Sequence, residues 1–375
     1  MQVPMLDLSR QYASIRSEVL EALTRISDSQ RYILSDEGRA FEQEFASLCG
    51  VREAVGCASG TDALWLALAA AGVGPGDQVI TSPFSFFASA SSIVRAGARP
   101  VFADVDPDTL NLGPASVAGK LTLARASMRA IVPVHLYGQC ADMEAIDRIA
   151  REHKLTVIED AAQAVGASWN GKCAGALGGA AAFSFYPTKN LSAFGDAGAL
   201  TTNDPELAEH ARRLRNHGGK DRYYHDEIGA NSRLDALQSA VLRVKMPHLP
   251  EWNDARRLRA QIYTRLLEVS GLARAGKITP LKTLPGAHHI YHQYVVRAQK
   301  RGQLRAFLSE HGVGTEIYYP VPLHLQKCFA WLGYAPGDFP EAERAASEVL
   351  ALPMFAELRE DEQQYVVECM ADFYS

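Results

Sequence analysis

The sequence predicts an α/β fold in which helices cover both faces of a mostly parallel sheet. Two observations lead to this prediction. Short strands with continuous apolar residues, such as Ala-Ile-Val-Pro-Val at 130–134, recur along the first half of the chain. Segments with apolar residues at helical spacing separate these strands. Apolar strands that alternate with helices are typical of parallel sheets buried on both faces.

Taken in order, the chain begins with an arm and two predicted helices, over 17–26 and 38–48, where apolar residues recur at helical spacing. From residue 54 onward strands and helices alternate. The predicted strands are 54–58, 78–80, 100–104, 130–134, 155–160, the apolar run that ends at Ser184, and 198–202. The predicted helices of this part are 63–71, 88–96, 143–153, 205–215 and 234–249.

The length of 375 residues is enough for about two domains. We predict a large domain over 1–250 that includes the N-terminal arm, and a smaller domain over 251–375. A long helix at 252–269 is the predicted bridge between them. The small domain is predicted to contain a strand, a helix, a strand and then helices, the first three at 294–298, 303–311 and 314–318.

Composition excludes several classes of function. The formal net charge of -5 offers no basic field to nucleic acid or to a membrane surface, and no apolar run reaches the ~18 residues of a membrane helix. Six cysteines are widely spaced, without a CxxC pair or a histidine cluster at zinc spacing. We therefore expect reduced thiols, a cytoplasmic protein and no metal site.

In parallel α/β sheets, ligands bind at the carboxyl ends of the strands. That rule selects three places: the Ser-Gly-Thr turn at 59–61, Asp160, and the segment 184–189. Gly60 and Thr61 stand between a strand and a helix, where free N–H groups and the helix dipole suit a phosphate. An ordinary helix cap by a hydroxyl of this turn is the alternative. Ser184 could add its hydroxyl to the same phosphate.

Four further residues suggest a flat, electron-accepting cofactor. Asp160 suits a protonated ring nitrogen, although it could instead cap a helix from Ala161 onward. Gln163 can donate to a phenolate oxygen. Phe86 can stack on a ring or belong to the core. Lys189 can form a Schiff base with an aldehyde, or can lie on the surface as most lysines do. Together they indicate pyridoxal 5'-phosphate (PLP).

Several motifs resemble those of the DegT/DnrJ/EryC1/StrS family of PLP-dependent nucleotide-sugar aminotransferases, in the same order. They are Gly-Cys-Ala-Ser-Gly-Thr-Asp-Ala-Leu at 56–64, Val-His-Leu-Tyr-Gly-Gln at 134–139, Ile-Glu-Asp-Ala-Ala-Gln at 158–163, Phe-Ser-Phe-Tyr-Pro-Thr-Lys-Asn-Leu at 183–191, Asn-Ser-Arg-Leu-Asp at 231–235 and Tyr-Tyr-Pro-Val-Pro-Leu-His at 318–324. The likeness covers essentially the whole chain.

The resemblance implies fold-type I of the PLP enzymes and a homodimer with shared active sites. It implies that Lys189 holds the cofactor and Asp160 pairs with the ring nitrogen, while Gln163 contacts the ring oxygen. Phe86 would stack on the ring. The implied phosphate ligands are Gly60, Thr61, Ser184 and, from the neighbouring subunit, Asn231. Two departures are Ser192 and Ala197, where the family often has glycine; both could tighten the loop after Lys189 and alter the pocket.

The implied reaction moves an amino group from an amino acid, by family analogy glutamate, to a keto sugar linked to a nucleoside diphosphate. Resemblance to 3-aminotransferases favours a 3-keto hexose. The candidates for contacts with nucleotide and sugar are Arg233, Tyr318, Tyr319 and His324, for which packing and interface salt bridges are the alternatives. A related PLP-dependent dehydratase carries histidine in place of the lysine. A PLP-binding regulatory protein is a further alternative.

Overall fold

The computed structural model describes residues 1–123 and 127–375. Its helices are α1 Leu8–Ser29, α2 Asp36–Cys49, α3 Gly60–Ala70, α4 Ala88–Arg95, α5 Pro114–Leu123, α6 Met143–His153, α7 Pro205–Leu214, α8 Ala236–Lys245, α9 Leu249–Val269, α10 Arg301–Glu310, α11 Pro340–Glu348 and α12 Glu360–Tyr374. Its strands are β1 Glu53–Cys57, β2 Gln78–Thr81, β3 Arg99–Phe102, β4 Met128–Val132, β5 Thr156–Asp160, β6 Ser168–Trp169, β7 Lys172–Cys173, β8 Ala180–Ser184, β9 Gly198–Thr202, β10 Ile278–Pro280, β11 Ala287–His288, β12 Tyr294–Ala298 and β13 Val349–Leu352.

The central sheet has seven strands in the order β1-β9-β8-β5-β4-β2-β3. Strands β8, β5, β4, β2 and β3 run parallel to their neighbours in this series, and β9 is antiparallel to both β1 and β8. The predicted α/β class with a mostly parallel sheet is confirmed. The antiparallel pairing of β9 was not predicted, because apolar strands of either direction read alike in sequence.

Strand β8 shows how the sheet carries a core on each face. Because side chains of a strand alternate between faces, Ala181 and Phe183 pack on one face with Phe45 of α2, while Ala180 and Ala182 pack on the other with α3. All of these side chains are buried. Helices therefore hold both faces of the strand that leads into Lys189, and the position of that strand end is firmly set.

The C-terminal part has its own three-stranded antiparallel sheet, β10-β12-β13, which packs with α9, α10 and α12 around a separate apolar core. The predicted strand at 314–318 is wrong. Among the described residues, this stretch makes one isolated bridge, Glu316 with Ala351, and Val313 just before it pairs with Val3. The domain boundary at 250 stays a prediction, with α9 beginning at Leu249. None of the described helices is long and apolar enough to cross a membrane.

Candidate active site

A cavity of about 730 Å³ lies where β1, β5 and β8 end, and the segment 316–319 of the C-terminal part closes one side of it. The structure brings most of the predicted residues into its wall, namely Gly60, Thr61, Phe86, Asp160, Gln163, Ser184, Lys189, Tyr318 and Tyr319. The rule that ligands collect at the carboxyl ends of parallel strands therefore selects a real cavity in this fold.

The first part of the wall is a turn built on two glycines. A Cβ on Gly60 would lie 2.6 Å from Ser184 Cβ, and a Cβ on Gly198 would lie 2.3 Å from the carbonyl carbon of Ser59. Only glycine allows the start of α3 to come this close to the end of β8 and the start of β9. The Ser59 hydroxyl caps α3 by accepting from the Asp62 N–H at 3.1 Å, so the cap interpretation is confirmed for Ser59.

This cap leaves two donors at the same helix end. Within the described residues, the N–H groups of Gly60 and Thr61 have no hydrogen-bond partner. They stand at the first turn of α3, beside Ser184, where the positive end of the helix dipole adds to their attraction for an anion. The arrangement can hold a phosphate, and the residues present fit the phosphate of PLP in this respect.

Asp160 ends β5 deep in the wall and is only 6% exposed. Its Oδ2 accepts from Ser89 Oγ at 2.6 Å, and its Oδ1 accepts from the Ala162 N–H at 3.3 Å. Burial raises the pKa of Asp160, while these hydrogen bonds and the charge of Lys189 oppose the rise. A turn rather than a helix follows it, so the alternative in which Asp160 caps a helix is wrong.

Lys189 follows β8 in a turn, where its N–H donates to Tyr186 O at 2.8 Å. The loop beyond it is pinned at both ends to Phe185, whose N–H donates to Ala197 O and whose carbonyl accepts from the Ala193 N–H, each at 2.8 Å. The side chain is half-buried in the cavity wall, so the surface-lysine alternative is wrong. Burial lowers the pKa of Lys189 to about 8, against the opposing attraction of Asp160.

Gln163 has a fixed amide. Its Oε1 accepts from the Tyr137 N–H at 2.6 Å and its Nε2 donates to Tyr319 Oη at 3.1 Å, which leaves one amide hydrogen for another acceptor. Phe86 is 57% exposed, with its ring 6.2 Å from that of Tyr319. The alternative that Phe86 belongs to the core is wrong, and its open face in the cavity suits a flat ring.

Three predicted residues lie outside this chain's cavity. The buried His324 ring packs against Phe339, and its Nε2 is 3.1 Å from Glu343 Oε1. Arg233 donates to Asn216 Oδ1 at 3.1 Å. Asn231 is exposed. The residue that precedes α8 is Asp235, so Asn231 does not cap that helix.

Sequence reasoning missed several residues of the wall: Ser85, Asp196, His292, Gln293 and Glu316. A signal existed for Ser85, because it precedes Phe86 and stands four residues before another serine at the start of a predicted helix. His292 and Gln293 had none. They arrive from the C-terminal part, where the Ile290 N–H donates to Gly138 O, and no local pattern marks such a contact.

Comparison with known proteins supports one family throughout. The profile of the DegT/DnrJ/EryC1/StrS aminotransferase family matches residues 13–371. The chain is 55% identical to a protein of Geobacillus stearothermophilus named pleiotropic regulatory protein, over 100% of this chain and 99% of the relative. It is 45% identical to the UDP-N-acetyl-3-dehydro-alpha-D-glucosamine 3-aminotransferase of Acidithiobacillus ferrooxidans, over 96% and 95% of the two chains.

Two solved structures are similar over nearly their full length. S. venezuelae DesV, crystallised with a ketimine intermediate, superposes with a TM-score of 0.94 at 42% identity over 99% of this chain and 98% of that chain. NtdA of Bacillus subtilis with the bound cofactor PMP superposes with a TM-score of 0.91 at 30% identity, over 98% and 84%. The chain therefore belongs to the DegT/DnrJ/EryC1/StrS aminotransferase family, whose enzymes depend on PLP.

Proposed function

We propose that this aminotransferase moves the amino group of L-glutamate to the keto carbon of a 3-keto hexose linked to a nucleoside diphosphate. One observation carries the proposal. An amine with a lowered pKa, Lys189, and a buried carboxylate, Asp160, line the same cavity as a helix start with free N–H groups. Amino-group transfer with PLP requires a base, a partner for the ring nitrogen and an anion site.

Each chemical group of PLP has a matching residue in the cavity wall. Lys189 would hold its aldehyde, Gly60, Thr61 and Ser184 its phosphate, and Asp160 its ring nitrogen. The remaining amide hydrogen of Gln163 would reach the ring oxygen, and Phe86 would cover the ring face. When bound, PLP supplies an electron sink for negative charge at the amino acid α-carbon.

The residues of the chain then divide the work of proton transfer. The free amine of Lys189 would take the proton from the α-carbon of the donor and deliver it to the carbon that was the aldehyde of PLP. With its pKa at about 8, roughly a tenth of the amine is neutral and able to act as a base at pH 7, whereas an ordinary lysine would have fewer than about one in a thousand. The carboxylate form of Asp160, which the Ser89 and Ala162 hydrogen bonds and the charge of Lys189 favour, would hold the ring-nitrogen proton in place.

The sugar and nucleotide assignment is supported by the relatives. Several are named for amination at carbon 3 of nucleotide-linked sugars, including transaminases for dTDP-3-amino-3,4,6-trideoxy-alpha-D-glucose and dTDP-3-amino-3,6-dideoxy-alpha-D-galactopyranose. Tyr318 and Tyr319 line the cavity, and their hydroxyls can hydrogen bond to sugar hydroxyls. We propose both as substrate contacts. His324 is not among them, because it lies outside the cavity, where its Nε2 contacts Glu343 and its ring packs against Phe339.

We also propose a homodimer with shared sites. Asn231 and Arg233 lie outside this chain's own cavity. Asn231 is the last residue of the polar loop at 216–231, and Arg233 follows that loop. That loop exposes three large side chains, Tyr223, Tyr224 and Ile228, which are 80%, 75% and 96% exposed. Exposed apolar side chains on a projecting loop are typical of a surface that another chain covers. Asn231 would then complete the phosphate site of a second copy, and Arg233 would face the nucleotide there.

Regulation without turnover is a second candidate function, because the relative with 55% identity is named a pleiotropic regulatory protein. The N-terminal helices do not form a separate binding module, since Ile15 and Val19 of α1 pack against Val241 of α8. The net charge of -5 also opposes binding to nucleic acid. Lys189 opposes the dehydratase alternative, in which histidine replaces the lysine.

The test follows the cofactor absorbance of the PLP-loaded protein. L-glutamate should bleach the band, and a nucleotide-linked 3-keto hexose should restore it and yield an amino sugar by mass spectrometry. A matched 4-keto hexose should restore it more slowly. Bleaching without recovery from either sugar would refute the sugar assignment. No bleaching with any amino acid would refute an aminotransferase and favour the regulatory function.

A further inference from the structure

A line of three hydrogen-bonded side chains runs through the cavity wall beneath Phe86. Ser85 Oγ lies 2.8 Å from Ser89 Oγ, and Ser89 Oγ lies 2.6 Å from Asp160 Oδ2. All three residues are buried, with Ser89 completely inaccessible. Burying a hydroxyl costs free energy unless the hydroxyl is hydrogen-bonded, and here each serine hydroxyl has a partner. The proposed function uses neither serine.

Proton counting fixes the direction of every bond in this line. An ionised carboxylate only accepts, and a serine hydroxyl has one hydrogen to donate. Ser89 must therefore give its hydrogen to Asp160, and the hydrogen between the two serines must come from Ser85. The Ser89 oxygen accepts one bond and its hydrogen makes the other. Such a chain polarises itself, which strengthens the final bond to the carboxylate.

The local fold explains why the two serines meet. Ser85 stands just before α4 and Ser89 lies in its first turn, where the Ser89 N–H donates to Phe86 O at 3.2 Å. The segment that presents the open ring of Phe86 to the cavity thus also delivers a donor to Asp160. Oδ1 of Asp160 accepts only a long bond of 3.3 Å, from the Ala162 N–H, among the described residues. Oδ1 therefore keeps capacity for another donor.

We propose that Ser89, itself oriented by Ser85, is the positioning residue that keeps Asp160 ionised and leaves its Oδ1 for the protonated ring nitrogen. This inference rests on the role of Asp160 in the proposed function. Lys189 after β8 and His135 after β4 also face Asp160, and both favour the anion as Ser89 does. The Tyr319 side chain of the segment 316–319 faces Asp160 as well. Ser89 differs from both because it hydrogen-bonds directly to Oδ2 at 2.6 Å, the shorter of the two hydrogen bonds that orient the carboxylate.

The test is a carboxyl titration in the cofactor-free protein, followed by NMR with ¹³C-labelled aspartate. The Asp160 signal is identified by its loss in Asp160→Asn. Ser89→Ala should raise the pKa of Asp160 by about one to two units, because a hydrogen bond to a charged group is lost. Ser85→Ala should raise it by less. Ser91→Ala, the same change at a half-buried position of α4, is the matched control and should leave it unchanged.

A second measurement uses the PLP-loaded protein and follows protonation of a ¹⁵N-labelled ring nitrogen. The proton should be lost at lower pH in Ser89→Ala than in the wild type, and kcat for glutamate deamination should fall about tenfold or more with little change in KM. Ser89→Thr, which keeps the hydroxyl, should recover both values.

Identical Asp160 titrations in wild type and Ser89→Ala would overturn the inference. A shift in Ser89→Ala with none in Ser85→Ala would overturn the part assigned to Ser85. The role of Asp160 in the proposed function fails by a different result, namely full turnover by Asp160→Asn. The aminotransferase function itself fails if no amino acid bleaches the cofactor band of the wild type, whatever the serine variants show. The cofactor-free titration does not depend on turnover, so the two failures are distinguishable.

Discussion

The close approach of α3 to β8 gives a prediction whose size follows from the geometry. In Gly60→Ala the new methyl group would lie 2.6 Å from Ser184 Cβ, 3.1 Å from its Cα and 3.2 Å from its Oγ. Ordinary contacts between carbon atoms are about 3.5–4 Å. Ser184 ends a strand that is hydrogen-bonded on both sides, so its backbone cannot yield, and α3 must move instead.

Overpacking of this kind costs about 1–3 kcal/mol in the free energy of unfolding. The opposite result is expected at Gly302, which also lies at a helix start and has open space where a Cβ would be. Gly302→Ala should stabilise the protein by about 0.4–1 kcal/mol, because it restricts the unfolded chain. Urea unfolding of the cofactor-free proteins measures both changes.

Movement of α3 also displaces the two N–H groups proposed for the phosphate. We expect Gly60→Ala to bind PLP at least about tenfold more weakly, a change of about 1.4 kcal/mol, and Gly302→Ala to bind it as the wild type does. Equal stability and affinity in wild type and Gly60→Ala would refute the close-approach argument. Lower stability with unchanged affinity would refute the phosphate assignment alone.

Four further predictions concern single side chains. Lys189→Ala should still bind PLP but lose turnover and the borohydride-trappable link to the protein, and a link that persists through another lysine would contradict its role. Asp160→Asn should bind PLP yet lose most of its single-turnover rate with glutamate, so a near-normal rate would contradict the ring-nitrogen assignment. Burial lowers the pKa of Lys245 to about 8, so the unfolded chain holds this proton between pH 8 and 10.5 and the folded protein does not. Stability should therefore rise by about 3 kcal/mol across that window and should do so less in Lys245→Met, and equal pH slopes in urea unfolding would refute this. Finally, refolding Asn231→Asp together with Lys189→Ala should give activity above the average of the parents, because one site of each heterodimer then has both native residues; activity at that average would refute the shared site.

Elements with strong local patterns were predictable from the sequence. The helix at 143–153 and the strands at 198–202 and 294–298 match the structure at both ends. The helix and the strand at 294–298 have a polar residue on each side, and Asn203 follows the strand at 198–202. Helix α5 and strand β13 were not predicted, since α5 is short of polar residues on any face and β13 follows a helix without a turn signal.

In the candidate site, too, residues in a local sequence motif were predictable and residues brought in by long-range contacts were not. Lys189, Asp160 and Gly60 could be found because each lies at the end of a strand or shortly after it, in a short motif. Gln293 and Glu316 could not be found because they reach the cavity from segments more than a hundred residues later, through contacts that have no local periodicity. Those contacts depend on how the C-terminal part packs on the sheet, and a sequence pattern does not carry that information.

Ser192 and Ala197, the two departures from the family pattern, contact different parts of the structure. Ser192 is buried behind the loop, where its hydroxyl accepts from the Nζ of the buried Lys245 at 2.9 Å, and that ammonium also lies 4.9 Å from the ring centre of Phe194. Ala197, by contrast, lines the cavity of the candidate active site. A glycine in place of Ser192 would leave the buried ammonium without this acceptor. Ser192 therefore acts on the loop through Lys245, and of the two departures only Ala197 can change the pocket by direct contact.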